Sequence, residues 1–486
     1  MTPRALLTSV ACVLSLACSG RATVEVPTGQ VLLYVMTDAP LPPAPGVVPG
    51  PDAPPALFDR LRVDFLAPPN APPCLDCSRD FELDGREISN GSASIQFVAQ
   101  PGVSGYVARA RLFRFIALEA GEPPPISTID VYAALPVVER DTVAPVTMML
   151  KVDDVGRTLG SMAAPTQPLA GKPNAASAEI WPKAKRVPCT AKAKPGEVCV
   201  PGGAFWIGNP YSGLHHEGAD ASVSRLVALS PYFVDLHEVT VAEYRASGLA
   251  TLANGSSTDP LVGHAKDTPA TAALAPLDVQ YFCTYSDAPL TAEPSRENLP
   301  INCVSWTAAS AFCAGQGKRL PSEAEYEYLA GALKSDLFVW GSTTPTCGND
   351  TCCAVSVWGR GGFMPGSVGS NMLCRSEDDL GGPLPSGSAA LDRLSLGGQE
   401  VVDLMGNVSE WTRDDWNRIT EPCWAGRPLL VNPECGTPST LDKGEMSELH
   451  TLKGEDWSSL IYPAAHRGGG ELATATRGFR CVRQDK

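Results

Sequence analysis

Asp403-Leu404-Met405-Gly406-Asn407-Val408-Ser409-Glu410-Trp411-Thr412 sets a glycine turn between two carboxylates and closes on a tryptophan. Without a metal it reads as a tight glycine turn in which Glu410 caps backbone donors. Outward from this stretch, short helices with clear starts stand among loops. Thr240-Val241-Ala242-Glu243 has capping-box spacing, which predicts a helix running to about Gly248. Ser322-Glu323-Ala324-Glu325 repeats that signal and predicts a second helix ending near Gly331. Between them the Ala-rich run Thr307–Ala314 stops at Gly315, a glycine suited to a helix C-terminus.

The chain has 486 residues, more than one ordinary core accommodates. Gly and Pro contribute 45 residues each, which favours turns, loops and linkers over helix bundles. The net charge is −15, and no basic run is longer than Lys183-Ala184-Lys185-Arg186. A surface that tracks phosphates needs clustered Lys and Arg, so nucleic acid is excluded as an expected partner.

Residues 1–17 read as a bacterial signal peptide: Arg4, then a short apolar run, then Leu14-Ser15-Leu16-Ala17 before Cys18. This resembles a lipoprotein cleavage box, with Ser15 where leucine is more usual. The expectation is lipidation at Cys18, export, and anchoring in the cell envelope; Ser19 after the cysteine resembles an outer-membrane address. No later run of apolar residues is long enough for a second span. Sixteen cysteines, 14 of them outside the leader, fit disulfides formed in an oxidising compartment.

Residues 18–152 read as an all-β sandwich domain. Leu61, Val63 and Phe65 alternate with Arg60, Arg62 and Asp64, and Ile129, Val131 and Ala133 alternate around Asp130 and Tyr132. Gln30–Met36, Phe81–Leu83, Ser92–Ala99, Tyr106–Phe115 and Val146–Val152 are the other strand candidates. The Pro-rich stretch Leu41–Pro55 reads as an exposed excursion. Cys74-Leu75-Asp76-Cys77 is compatible with a structural disulfide, a redox pair or half a zinc site. Residues 153–187, rich in Ala, Pro, Gly, Ser and Lys, read as a linker. Residues 188–486 form a second, loop-rich α+β domain in which Trp, Cys and Gly become frequent.

Within that domain a series of motifs follows one order. It begins with Val200-Pro201-Gly202-Gly203-Ala204-Phe205-Trp206-Ile207-Gly208 and Tyr232-Phe233-Val234-Asp235-Leu236-His237-Glu238-Val239-Thr240. Pro300-Ile301-Asn302-Cys303-Val304-Ser305-Trp306 and Gly317-Lys318-Arg319-Leu320-Pro321-Ser322-Glu323 follow, then Val339-Trp340-Gly341. The 403–412 stretch, Arg467-Gly468-Gly469 and Gly478-Phe479-Arg480-Cys481-Val482-Arg483 close the series. This order resembles the formylglycine-generating enzyme, or sulfatase-modifying factor, family. The resemblance implies a much elaborated C-type-lectin-like fold stabilised by calcium and disulfides.

Residue by residue, the resemblance implies a calcium site made by Asp403, the carbonyls of Gly406 and Val408, and Glu410. It implies a disulfide between Cys313 and Cys481. Proximity adds Cys283–Cys303, Cys423–Cys435 and Cys189–Cys199 as further pairs. Cys347, Cys352, Cys353 and Cys374 sit in an insertion, Thr343–Gly398, where disulfides or a zinc site are both compatible. The family's active oxidases hold Cu(I) on two cysteines between the R-G-G segment and the final G-F-R-C. Here residues 470–477 contain no cysteine, and Ala330 stands where a companion cysteine would be. Cu(I) requires soft thiolates, so copper is not expected. His215-His216, with Glu217 and Asp220, is the best alternative metal candidate, against a plain polar loop. Trp306 and Trp411 are expected in the core more than in a groove. The reading is a lipid-anchored envelope protein displaying a non-catalytic domain for a protein, peptide or glycan ligand. The alternative is a divergent oxidoreductase of the same family.

Overall fold

The computed structural model describes residues 29–50, 52–69, 77–84, 88, 91, 93–99, 104–139, 142–174, 179–208, 224–249, 282–285, 296–344, 355–360, 381–418, 421–436, 449–459 and 462–485. The leader, Cys18, Cys74, His215, His216, Glu217, Asp220 and the four cysteines of the insertion lie outside these residues. Among the described residues no helix is long and apolar enough to cross a membrane.

Seven strands build the first half in the order the alternation predicts. They are β1 (Gln30–Thr37), β2 (Arg60–Leu66), β3 (Ser78–Glu82), β4 (Ser94–Val98), β5 (Val107–Phe113), β6 (Ile129–Ala134) and β7 (Val143–Leu150). Two short strands from the presumed linker, β8 (Thr158–Leu159) and β9 (Leu169–Ala170), extend them. The sheets have orders β4-β1-β7-β9 and β3-β2-β5-β6-β8. Inward residues of both, such as Val31 and Leu33, Val146 and Met148, Leu61 and Val63, share one core. On the outer face of the second sheet Arg62 pairs with Asp80, Arg109 with Asp130, and Arg111 with Asp64. Period two therefore sorts apolar residues inward and paired charges outward.

The stretch 153–187 is packed rather than free. Its low regularity reflects composition, yet Trp181 is 2% exposed and Ala184 0% exposed. The Trp181 amide donates to Asp38 O at 2.7 Å, and its indole donates to Asp153 at 3.0 Å.

In the second half, β10 (Glu197–Val200) and β21 (Val482–Gln484) flank β13 (Tyr232–Asp235), joining the two ends of the domain. β11 (Gly203–Ile207) and β12 (Arg225–Leu229) pair with each other, and β17 (Leu429–Val431) adds to β12. β14 (Arg393–Leu396) and β15 (Gln399–Val402) form a hairpin. The last sheet has the order β19-β18-β16-β20, from Gly468–Gly470, His450–Lys453, Ser409–Asp415 and Arg477–Gly478. Helix α1 (Val241–Ala246) and helix α3 (Glu323–Ala330) both start with complete capping boxes, at Thr240 and Ser322. Helix α2 (Trp306–Gly315) is capped by Ser305, whose hydroxyl accepts from Ala308 N–H. Helix α3 touches β11, β16 and β18, and α2 also touches β16.

Candidate functional site

The 403–410 turn is held from inside. Asp403 (φ 57°) and Asn407 (φ 74°) both adopt left-handed backbone, where Asn and Asp are less penalised than most residues. A side chain on Gly406 would collide with Ser356 Oγ and come within 2.7 Å of the Val357 carbonyl, so glycine alone fits. Asn407 Nδ2 donates to Glu238 at 2.7 Å, and the Val408 amide donates to the same carboxylate at 3.1 Å. Asp392 accepts from the Leu404 and Met405 amides and from Ser356 Oγ.

Beneath the turn lies a buried charge cluster. Arg480, 0% exposed, bonds Glu410 through Nε at 2.8 and 2.9 Å and donates to the carbonyls of Val402 and Asp403. Tyr326 OH donates to Glu410 at 3.0 Å. Glu238, Asp392, Asp403 and Glu410 are all 0% exposed. Burial raises the pKa of each, Asp403 to about 7, with neighbouring carboxylates adding to the effect for Glu238 and Asp403. Asp403 Oδ2 accepts from Gly387 N–H, while Oδ1 is buried with no hydrogen-bond partner.

These residues suit a hard cation: the turn brings an orphaned carboxylate oxygen and an excess of buried negative charge together. Among the described residues no three His, Cys, Asp or Glu side chains stand together as a metal group. Any ion here would therefore lean on backbone carbonyls, as the set Asp403, Gly406, Val408 and Glu410 does. Glu410 differs from the expectation in one respect, because its charge is already met by Arg480.

At the far end of the last sheet, register places Asp415 opposite His450 and His450 opposite Gly470. His450 Nδ1 lies 3.1 Å from Asp415, and burial lowers its pKa. The Trp306 ring stacks on His450 with centroids 3.9 Å apart, while its indole donates to Thr412 O at 2.7 Å. Trp306 is thus half-buried at a surface, whereas Trp411 is fully buried with its indole on Val304 O at 3.0 Å. The row ends in Glu471 and the 66%-exposed Leu472.

The glycines of β19 have a packing reason. A Cβ on Gly470 would lie 2.7 Å from Leu452 Cδ1 and 2.9 Å from the Trp411 ring. Arg467, next to them, is paired with the buried Glu323. From Gly470 the chain reaches Arg477 through a short link that is clamped down. Ala475 is 4% exposed, and its carbonyl accepts from Asn302 Nδ2 at 2.7 Å and from Trp457 Nε1 at 3.0 Å. The Thr474 carbonyl accepts from Cys303 N–H at 3.0 Å.

Four disulfides are described: Cys313–Cys481, Cys283–Cys303, Cys189–Cys199 and Cys423–Cys435. Cys77 is also disulfide-bonded, so every cysteine among the described residues is oxidised. None of them offers a thiolate. A cleft of about 1200 Å³ lies elsewhere, between the two halves, lined by Pro42, Val47, Leu333 and Leu396 among others. Sequence reading missed Glu238, Asp392 and Arg480 as partners of the turn. Glu238 and Arg480 do lie inside quoted motifs, but no local signal marks Asp392.

Asp414, beside Asp415, accepts from the Glu323 and Cys435 amides at 2.7 Å each. Burial first, and the Glu323 carboxylate second, push its pKa up to about 8. The native state then holds a proton that the unfolded chain releases near pH 4. Stability from this group is present in acid and lost as pH rises towards 8. Asp414→Asn is expected to reduce the drop in urea stability between pH 5 and pH 8, on the order of a few kcal/mol in the wild type. Parallel declines in the two proteins would contradict this.

Comparison with known proteins places this architecture. The family model described as "Sulfatase-modifying factor enzyme 1-like domain" matches residues 183–485. The formylglycine-generating enzyme of Thermomonospora curvata is 30% identical over 308 residues, covering 59% of this chain and 93% of that protein. The mouse "Inactive C-alpha-formylglycine-generating enzyme 2" is 29% identical over 233 residues, covering 45% and 68%. The solved structure of PvdO from Pseudomonas aeruginosa aligns with a TM-score of 0.38 at 21% identity, covering 60% of this chain and all of that one.

Proposed function

The chain belongs to the sulfatase-modifying factor enzyme 1-like family, and from that premise we propose that it is a non-catalytic binding member, exported and lipid-anchored at Cys18. One observation carries this reading. The interval where the active oxidases keep two cysteines is here the cysteine-free link 470–477, with Ala475 locked into the core by Asn302 and Trp457. No thiolate stands among the described residues to hold Cu(I) or to attack a substrate cysteine. That a similar protein carries the word "inactive" in its name supports the view that the scaffold outlives the chemistry.

The ligand surface in this reading is the row Asp415, His450, Trp306, Glu471 and Leu472. The indole stacked on an imidazole offers a flat apolar face, and the half-buried carboxylate offers an acceptor. Such a mixture suits an exported protein, a peptide or a glycan. Within the same proposal, Asp403 with the Gly406 and Val408 carbonyls and Glu410 holds calcium. When bound, that ion neutralises the carboxylate excess that Arg480 alone leaves.

The test uses the purified exported chain. No aldehyde is expected from cysteine-containing sulfatase peptides supplied with copper, and no copper is expected to be retained. Aldehyde formation, or one thiolate-held copper per molecule, would overturn the non-catalytic reading in favour of a divergent oxidoreductase. Saturating Ca2+ is expected to raise the thermal midpoint, since a native-state ligand must stabilise. An unchanged midpoint would remove calcium from the proposal and leave the rest standing.

A further inference from the structure

Strands β11 and β12 are buried on both faces. Phe205, Ile207, Val227 and Leu229 point into the core of the second half. Their alternates Ala204, Trp206, Leu226 and Ala228 belong to the core of the first half. A strand that is apolar at every position needs cover on both sides. Trp206 is the centre of the second cover. It is 1% exposed, its indole donates to Leu57 O at 2.7 Å, and its ring meets Phe58 edge-on at 5.5 Å. Arg114 lies over the same ring at 5.7 Å. Gly156 (φ +74) abuts Pro428 so closely that any side chain there would collide.

All these contacts come from one pole of the sandwich. Leu57 and Phe58 lead into β2, Arg114 follows β5, Asp38 follows β1, and the Gly156 turn follows β7. The opposite pole is where the chain enters, with Gly29 N–H donating to Thr142 O. The 8 residues of β1 run from that pole to the interface, a rise of about 26 Å at ~3.3 Å per residue. Helix α3 touches β11 and also β16 and β18, the strands that carry Asp415 and His450.

We propose that the first half is an obligate, rigid stand for the family domain, fused to it through the outer face of β11–β12 at the pole opposite the point of chain entry. The fusion does not depend on the lipid anchor or on the proposed ligand. Only the statement that the stand separates the domain from a membrane rests on the anchoring reading.

The full exported chain with a protease site inserted between Gly171 and Lys172 tests it. After complete cleavage the two pieces are expected to co-elute on gel filtration in native buffer and to unfold in one calorimetric transition. Separation of two folded pieces, or two independent transitions in the uncut chain, would overturn the proposal. Leu226→Ala in the cut chain is expected to cause loss of co-elution or a lowered common transition. If this variant fails to fold, the cut wild type still decides. A working lipid anchor with separable halves would sink the stand alone, whereas co-eluting halves without a lipid would sink the anchor alone.

Discussion

Arg480→Met is expected to cost about 3–5 kcal/mol of stability, the range for removing one partner of a buried ion pair, and thereby to abolish accumulation of the folded chain. Arg480 is fully buried, and its guanidinium meets Glu410 and the carbonyls of Val402 and Asp403. Glu238, Asp392 and Asp403 surround the pair. One cation therefore serves a group of four buried carboxylates. The consequence is an asymmetry between the two members of the pair. Glu410→Gln removes one negative charge from a surplus and keeps the shape, so it is expected to cost less than half as much. Urea denaturation of both variants, with and without calcium, measures this. Equal losses would mean that the pair acts as an isolated bridge and that the surrounding carboxylates are neutral by protonation.

The same cluster marks the limit of what the sequence discloses. Local rules were legible because they act over a few residues. Thr240 and Ser322 start their helices through side chains three residues away, and alternation assigns the faces of β2 and β6. The turn at 406 was legible as a turn, since no other residue fits beside Ser356 and Val357. Its partners were not, because Glu238 and Arg480 arrive from distant strands, and nothing near Asp392 announces that its carboxylate receives two backbone amides. The linker reading of 153–187 erred for a related reason. Pro, Ala and Gly report a shortage of regular hydrogen bonding, not a shortage of packing, and Val155 and Trp181 were residues there that spoke for burial. The run Gly203–Ile207 held the complementary signal: every position is buried, which one covered face cannot explain.

Removing the Cys313–Cys481 disulfide by a double change to alanine is expected to be the most damaging of the disulfide losses. The bond ties the end of α2 to the residue before β21 across 168 residues, and both cysteines are 0% exposed. In the chain-entropy account a loop of that length contributes about 5 kcal/mol by restricting the unfolded chain, against roughly 3 kcal/mol for a loop near ten residues. Cys189–Cys199, with a separation of 10, supplies the internal reference. The nested Cys423–Cys435 bond shortens the large loop by only 12 residues, too few to matter in a logarithmic dependence. Alanine at two buried positions adds a packing loss to the larger effect, so the expected order is reinforced. Urea titration of the two double variants under identical conditions gives the comparison. A larger loss from Cys189–Cys199 would mean that the native interactions around β10, and not the freedom of the unfolded chain, set the value of these bonds. The native state would then draw its stability from the join between the domain's two ends, where Asp485 accepts from the Thr190 and Ala191 amides.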